Sequence, residues 1–133
     1  MNKNVANYMS MAGDCLSDAR MLLEKGSYRN AVGRAYYAYF DAVRALLASK
    51  SMAIKSHSAA RSLFSQHFVK DGPFVAADAK ELNSLFVLRQ DAEYDPEELF
   101  DFDAVNKAIE TAAEFLLQVE AYLRDNGFYK SIK

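Results

Sequence analysis

The segment from Tyr28 to about Lys50 most constrains how this chain can fold. Its apolar positions Ala31, Ala35, Ala38, Tyr39, Ala42, Val43, Leu46 and Leu47 recur at three- and four-residue intervals, the pattern of one helical face. Around that face Ala31, Gly33, Ala35, Ala38 and Ala42 leave room for another helix to approach closely, while Tyr36, Tyr37, Tyr39 and Phe40 supply bulk. Aromatics crowded around alanines imply packing on more than one side. The segment therefore reads as the central helix of a bundle, its aromatic cluster serving as core or dimer interface rather than as a platform for bases.

The rest of the chain repeats the helical period. A first helix runs from Asn4 to roughly Lys25 on Val5, Tyr8, Met9, Ala12, Leu16, Ala19, Leu22 and Leu23, and Lys25-Gly26 closes it. Ser27 is the expected N-cap of the central helix. After the link Ser51 to Ser56, either Ser56 or Ser58 caps a short third helix reaching about Val69. Asp71-Gly72-Pro73 reads as a turn with Pro at the first position of a fourth helix, which Asp95-Pro96 stops. Asp103 is then expected to cap a fifth helix carrying Val105, Ala108, Ile109, Ala112, Phe115, Leu116, Val119, Tyr122 and Leu123, closed by Asn126-Gly127. The tail Phe128 to Lys133 is expected to fray. No segment alternates as a strand would, and there is no Gly-rich phosphate loop or Gly-x-Ser-x-Gly elbow. The expected fold is all-α: an antiparallel up-and-down bundle of four longer helices plus one short one, a single domain over residues 1–133.

Composition narrows the function classes. With 133 residues and 51% hydrophobic content the chain can bury a core. No apolar run is long enough to cross a bilayer and no signal peptide follows Lys3, so a soluble cytoplasmic protein is expected, without membrane contact. Cys15 is the only cysteine, which excludes an internal disulfide and a thiolate cluster; its apolar neighbours suggest a buried, inert thiol. His57 and His67 are ten residues apart without a partner ligand pattern, and the acidic run from Asp95 to Asp103 lacks the EF-hand order. No metal and no cofactor is expected. The net charge of −2 is uneven: residues 20–70 hold nine Lys or Arg against Glu24 and Asp41, and residues 71–103 hold ten Asp or Glu against Lys80 and Arg89. That suits self-association or an oppositely charged partner, unless folding sets the two segments side by side.

The sharpest feature lies in the fourth helix. Leu82, Leu85, Phe86, Leu88 and Ala92 form its apolar face, and Arg89 falls beside them. A guanidinium there needs acceptors or a water-lined cleft, because burying it unpaired costs several kcal/mol. A carboxylate on a neighbouring helix or a bound ligand would each supply them. Tyr94 follows Arg89 by five residues, just before the helix stops. His57 lies at a helix start, and His67 reads as a partly buried structural residue.

Three stretches together carry a resemblance. They are Arg34-Ala35-Tyr36-Tyr37-Ala38-Tyr39-Phe40-Asp41-Ala42, Lys55-Ser56-His57-Ser58 and Leu88-Arg89-Gln90-Asp91-Ala92-Glu93-Tyr94. In this order they resemble the HEPN superfamily (higher eukaryotes and prokaryotes nucleotide-binding domain), in particular its small stand-alone bacterial and archaeal members, from the first helix to the fifth. The resemblance implies a helical bundle, commonly a homodimer whose two fourth helices meet at a shared cleft. Many such proteins are metal-independent ribonucleases, often toxins paired with a minimal nucleotidyltransferase antitoxin. Their signature is Arg, a polar residue, about three variable positions and then His. Arg89 and Gln90 match its start, but Tyr94 stands where the His would be.

That departure bears on chemistry. Cleavage by 2′-hydroxyl attack needs a group exchanging protons near neutrality, which an imidazole does. A phenol with a pKa of about 10 is about a thousandth ionised at pH 7. Acid–base help is typically worth ~10²–10⁴-fold, so most activity would be lost. Asp91, Glu93, Asp95, Glu97 and Glu98 further disfavour both a phenolate and RNA phosphates.

The expected function is thus a non-catalytic HEPN-like domain that dimerises and binds a nucleotide- or nucleic-acid-like ligand, or a partner protein. The resemblance implies a minimal nucleotidyltransferase partner in a toxin–antitoxin or defence pair. Arg89 and Gln90 would hold a phosphate or carboxylate, Tyr94 would bond or stack beside it, and His57 with Tyr37 would line the same cleft. The phenol of Tyr94 is also a conceivable target for modification by that partner. Two alternatives stand beside this one: a metal-independent endoribonuclease toxin using Arg89, Tyr94 and His57, and a purely structural dimerisation bundle in which Arg89 pairs with a carboxylate.

Overall fold

A computed structural model describes residues 3–128. It consists of α1 (Lys3–Glu24), α2 (Tyr28–Ser49), α3 (His57–Phe64), α4 (Ala76–Tyr94) and α5 (Phe102–Asp125), with a π-helical segment, Ser65–Val69, extending α3. No strand occurs among the described residues. The architecture is the all-α bundle of four longer helices and one short one.

α2 is the hub, packing against α1, α3, α4 and α5. Ala31, Ala35, Ala38, Ala42 and Ala45 are completely buried along it, so neighbouring helices come close where the side chains are small. The bulk sits between them. Tyr39 stacks on Phe115 of α5 with ring centroids 3.9 Å apart, and its hydroxyl donates to the Asp78 carbonyl at 2.8 Å. That bond satisfies a phenol that would otherwise be buried at a cost. Below it Phe74 and Tyr122 pack edge to face or tilted against Phe64 and Phe68, which lie nearly parallel to each other.

The helix ends show how local sequence sets the turns. At the end of α1, Gly26 takes a positive φ of 75°, Ser27 N–H donates to Leu22 at 2.9 Å and Gly26 N–H to Leu23 at 3.0 Å. This Schellman arrangement reverses the chain in three residues and makes α1 and α2 antiparallel. Gly127 ends α5 in the same way. Ser56 caps α3, its hydroxyl accepting from Ala59 N–H at 3.2 Å.

One expected end holds in position without its side-chain cap, and two are corrected. Ser27 stands at the N-cap of α2, but its hydroxyl accepts from the Asn30 side-chain amide at 3.0 Å, not from a backbone N–H. Pro73 does not start α4. Phe74 is drawn into the aromatic core, so the helix waits until Ala76, and the Asp78 carboxylate accepts from Val75 N–H at 3.0 Å. Asp101, not Asp103, caps α5: its carboxylate accepts from Ala104 N–H at 2.8 Å, leaving Asp103 in the first turn. Of the tail expected to fray, residues 129–133 lie outside the described residues.

Candidate functional site

Arg89 leaves α4 one turn after Phe86 and lies against α2. Its guanidinium carbon is 5.2 Å from the ring centroid of Tyr36, 5.6 Å from that of Tyr37 and 5.3 Å from that of Phe86. Three π faces thus hold a side chain that is only 15% exposed. Among the described residues its charged partner is Glu93 of its own helix, whose carboxylate accepts from Nη1 at 2.8 Å and stays 41% exposed. Nε is buried with no partner among the described residues. The acceptors that the sequence demanded are therefore only partly supplied.

Beneath the guanidinium lies a polar pair in an apolar setting. The Tyr36 hydroxyl is 2.9 Å from Nδ1 of His57, and the imidazole stacks on Phe86 at 3.9 Å and 15°. Burial pushes the Tyr36 phenol up, against a smaller opposing pull from Arg89. Burial also lowers His57, while neighbouring Asn83 acts in the opposite direction. Both groups are then neutral near pH 7, and the imidazole tautomer sets which of them donates across the 2.9 Å bond, while Nε2 is buried.

Tyr37 meets Tyr36 edge-on at 5.0 Å, and Arg34 approaches its ring at 5.9 Å. Beside it opens a cleft of about 650 Å³ lined by Leu22, Arg29, Asn30, Gly33, Arg34, Tyr37, Ala92 and Glu93. α1, α2 and α4 all contribute to its walls.

The structure thus gathers Arg89, His57 and Tyr37 around Tyr36 and Phe86. It does not bring Tyr94 or Gln90 to them. Tyr94 is 76% exposed and Gln90 is exposed as well. A five-residue step turns about 140° around a helix, so the phenol of Tyr94 leaves on another side from Arg89. The shared pocket expected for Arg89 and Tyr94 is corrected accordingly.

Sequence reasoning named Tyr36 only as bulk, yet it touches both Arg89 and His57. It also missed Arg29, which donates to the carbonyl oxygens of Ala92, Asp95 and Glu98 at 2.8, 2.8 and 2.6 Å and packs on Phe100 at 5.4 Å. This arginine closes the C-terminus of α4 and sets the basic start of α2 against the acidic segment, so the two charge blocks meet there. A third missed group surrounds Asp41, which is only 3% exposed. Arg44 donates to it at 3.4 Å and to the Tyr8 hydroxyl at 3.1 Å, while Cys15 lies between Asp41 and Arg34. Burial raises both the Asp41 carboxyl and the Cys15 thiol. A lone acid between Ala38 and Ala42 on the central helix was the available signal.

Among the described residues no group of three His, Cys, Asp or Glu is placed to hold a metal ion, and no helix is long and apolar enough to cross a membrane.

Comparison with known proteins adds the family. A profile of the HEPN domain matches residues 5–122. The chain is 32% identical over 123 residues to a Thermotoga maritima protein named UPF0332 protein, spanning 92% of this chain and 93% of that one. It is 32% identical to "Putative toxin MJ0605" of Methanocaldococcus jannaschii, over 71% of this chain and 70% of the relative. A second protein of that organism, "Putative toxin MJ0142", is 29% identical over 70% of this chain and 63% of its own length. Matched from the first helix into the last, with Arg89, His57 and the aromatic pair Tyr36 and Tyr37 gathered at one place, the chain belongs to the HEPN domain family.

Proposed function

We propose that this protein is a non-catalytic HEPN protein that acts as a homodimer and binds a nucleotide- or nucleic-acid-like phosphate through Arg89. Its setting is a cytoplasmic toxin–antitoxin or defence pair with a minimal nucleotidyltransferase. One observation carries the reading: the Arg89 guanidinium is pre-positioned by three rings but held by a single exchangeable carboxylate. A partly exposed ion pair between residues four apart is worth about 0.3–0.5 kcal/mol, little enough for an incoming phosphate to replace.

The same geometry argues against cleavage. A ribonuclease needs a proton-exchanging group beside the phosphate. The nearest imidazole, His57, has Nδ1 engaged by Tyr36 and its ring stacked on Phe86. Tyr94 stands out in solvent. Dimerisation is supported by exposed apolar side chains on and after α4, namely Val87, Tyr94 and Leu99. The toxin names of two relatives support the paired setting.

Labelled single-stranded RNA incubated with wild type and Arg89→Ala tests this directly. The expected result is no cleavage by either, with oligonucleotide or ATP affinity falling about tenfold or more in the variant, as for loss of a charge-assisted bond. Cleavage that vanishes in Arg89→Ala would replace this reading with the ribonuclease. Equal affinity in both proteins, with a lower melting temperature in the variant, would make Arg89 a structural residue.

A further inference from the structure

Gly33 lies in the interior of α2, where glycine costs about 1 kcal/mol relative to alanine. Packing does not require it, since a Cβ built there would meet no atom within 4 Å. The open space belongs to the cleft described above, whose volume of about 650 Å³ lies in the range of small-molecule sites. Bare backbone forms part of its lining, with Leu22 and Ala92 as apolar walls and the Asn30 amide as a polar group.

Charge identifies what would fit. Arg34 lines the cleft, and its hydrogen-bond partner is the thiol of Cys15 at 3.0 Å, a weak acceptor. Asp41, whose charge Arg34 also meets, is engaged by Arg44. Nε of Arg34 and Nε of Arg89 are both buried with no hydrogen-bond partner among the described residues. The two guanidinium groups flank the ring of Tyr37 at 5.9 and 5.6 Å. Between them only Glu93 supplies negative charge at the cleft, and it does so from the wall, already bonded to Arg89. Arg34 lines the cleft, Arg89 meets it through its bond to the lining carboxylate of Glu93, and Arg29, also in the lining, is already bonded to backbone carbonyls. Two cations beside one monocarboxylate suit a dianion.

We infer that the cleft over Gly33 binds a small organic phosphomonoester, and that Glu93 occupies Arg89 as a stand-in for its phosphate and swings out when the ligand enters. This rests on the reading of Arg89 as a phosphate-holding group, and adds the place, the size class and the displaced carboxylate. Glu93 is then an inhibitory side chain: removing its charge frees Arg89 and removes a repulsion.

Calorimetric titration with AMP, ribose 5-phosphate and inorganic phosphate tests it. Glu93→Gln is expected to tighten AMP about tenfold, whereas Glu97→Gln, which removes an exposed charge outside the cleft, leaves it unchanged. Gly33→Leu is expected to abolish AMP binding by filling the cleft, with Gly33→Ala weakening it less. Neither lowers the melting temperature, because both side chains favour a helix more than glycine does. Absence of AMP binding in both wild type and Glu93→Gln overturns the inference, as does undiminished binding in a folded Gly33→Leu. An oligonucleotide that needs Arg89 but ignores Gly33→Leu and Glu93→Gln would overturn the cleft while leaving Arg89 its phosphate. Indifference of every probe to Arg89→Ala would remove both.

Discussion

Arg29 donates to three carbonyl oxygens at the end of α4 within 2.8 Å, with further contacts to Asp91 and Pro96 at 3.5 and 3.4 Å. Those carbonyls belong to the last turn and to the loop after it, where the helical ladder runs out. Among them, Asp91 still accepts from Asp95 N–H at 3.0 Å and Asp95 from Glu98 N–H at 3.4 Å. Arg29→Ala should destabilise the fold by about 2–3 kcal/mol in urea denaturation, the scale of charge-assisted bonds lost from a part-buried site. Arg29→Lys should recover only part of this, since one ammonium cannot span the fork. His57 gives a second test at this scale. Burial sets its folded pKa below the ordinary value of 6.5, so the unfolded chain binds the proton more readily. Stability is therefore full above pH 6.5 and is lost as pH falls from there towards the depressed folded value. Comparing urea midpoints of wild type and His57→Gln at pH 7.5 and 5.5 should show a steeper decline in the wild type. Asp41, raised by burial, titrates with the opposite sign, and the comparison cancels it because both proteins keep it.

Elements here begin and end where side chains or backbone bonds replace the missing helical partners. Asp101→Ala should cost about 1 kcal/mol, as for a lost N-cap, while Asp103→Ala costs only a few tenths. Equal losses in thermal unfolding would mean that the cap lies elsewhere. The end of α2 offers a gain instead. Ser51 adopts φ 63° while Met52 N–H donates to Leu47 at 2.9 Å, the bond pattern that glycines complete in α1 and α5. A Cβ in that conformation is strained, so Ser51→Gly should raise stability by about 0.5–1 kcal/mol despite the added freedom of the unfolded chain. The helical spans of α1, α2 and α5 were legible because the apolar period acts within a few residues, as does the Schellman glycine that ends α1 and α5. The start of α4 was not, because Phe74 answers to Phe64, Phe68, Phe115 and Tyr122 rather than to its neighbours in sequence.

At the scale of the molecule, α4 is buried on one side by α2 and leaves Val87 and Tyr94 exposed on another, with Leu99 beyond. If two copies close over this face, sedimentation should give a dimer in wild type and a shift to monomer in Val87→Glu. Leu117→Glu, a comparable change at an exposed leucine of α5, should stay dimeric. The amino-acid sequence alone determined a helical bundle centred on α2 and picked out Arg89, because periodicity and the cost of burying a guanidinium are local facts. Only the tertiary structure decided who meets that guanidinium: Tyr36, Tyr37 and Phe86 instead of Tyr94, and Glu93 as its carboxylate. It likewise gave Arg29 its carbonyls and opened a cleft over Gly33. Such partners lie up to 69 residues apart along the chain, and the relative rotation of packed helices, which no local pattern encodes, brings them together.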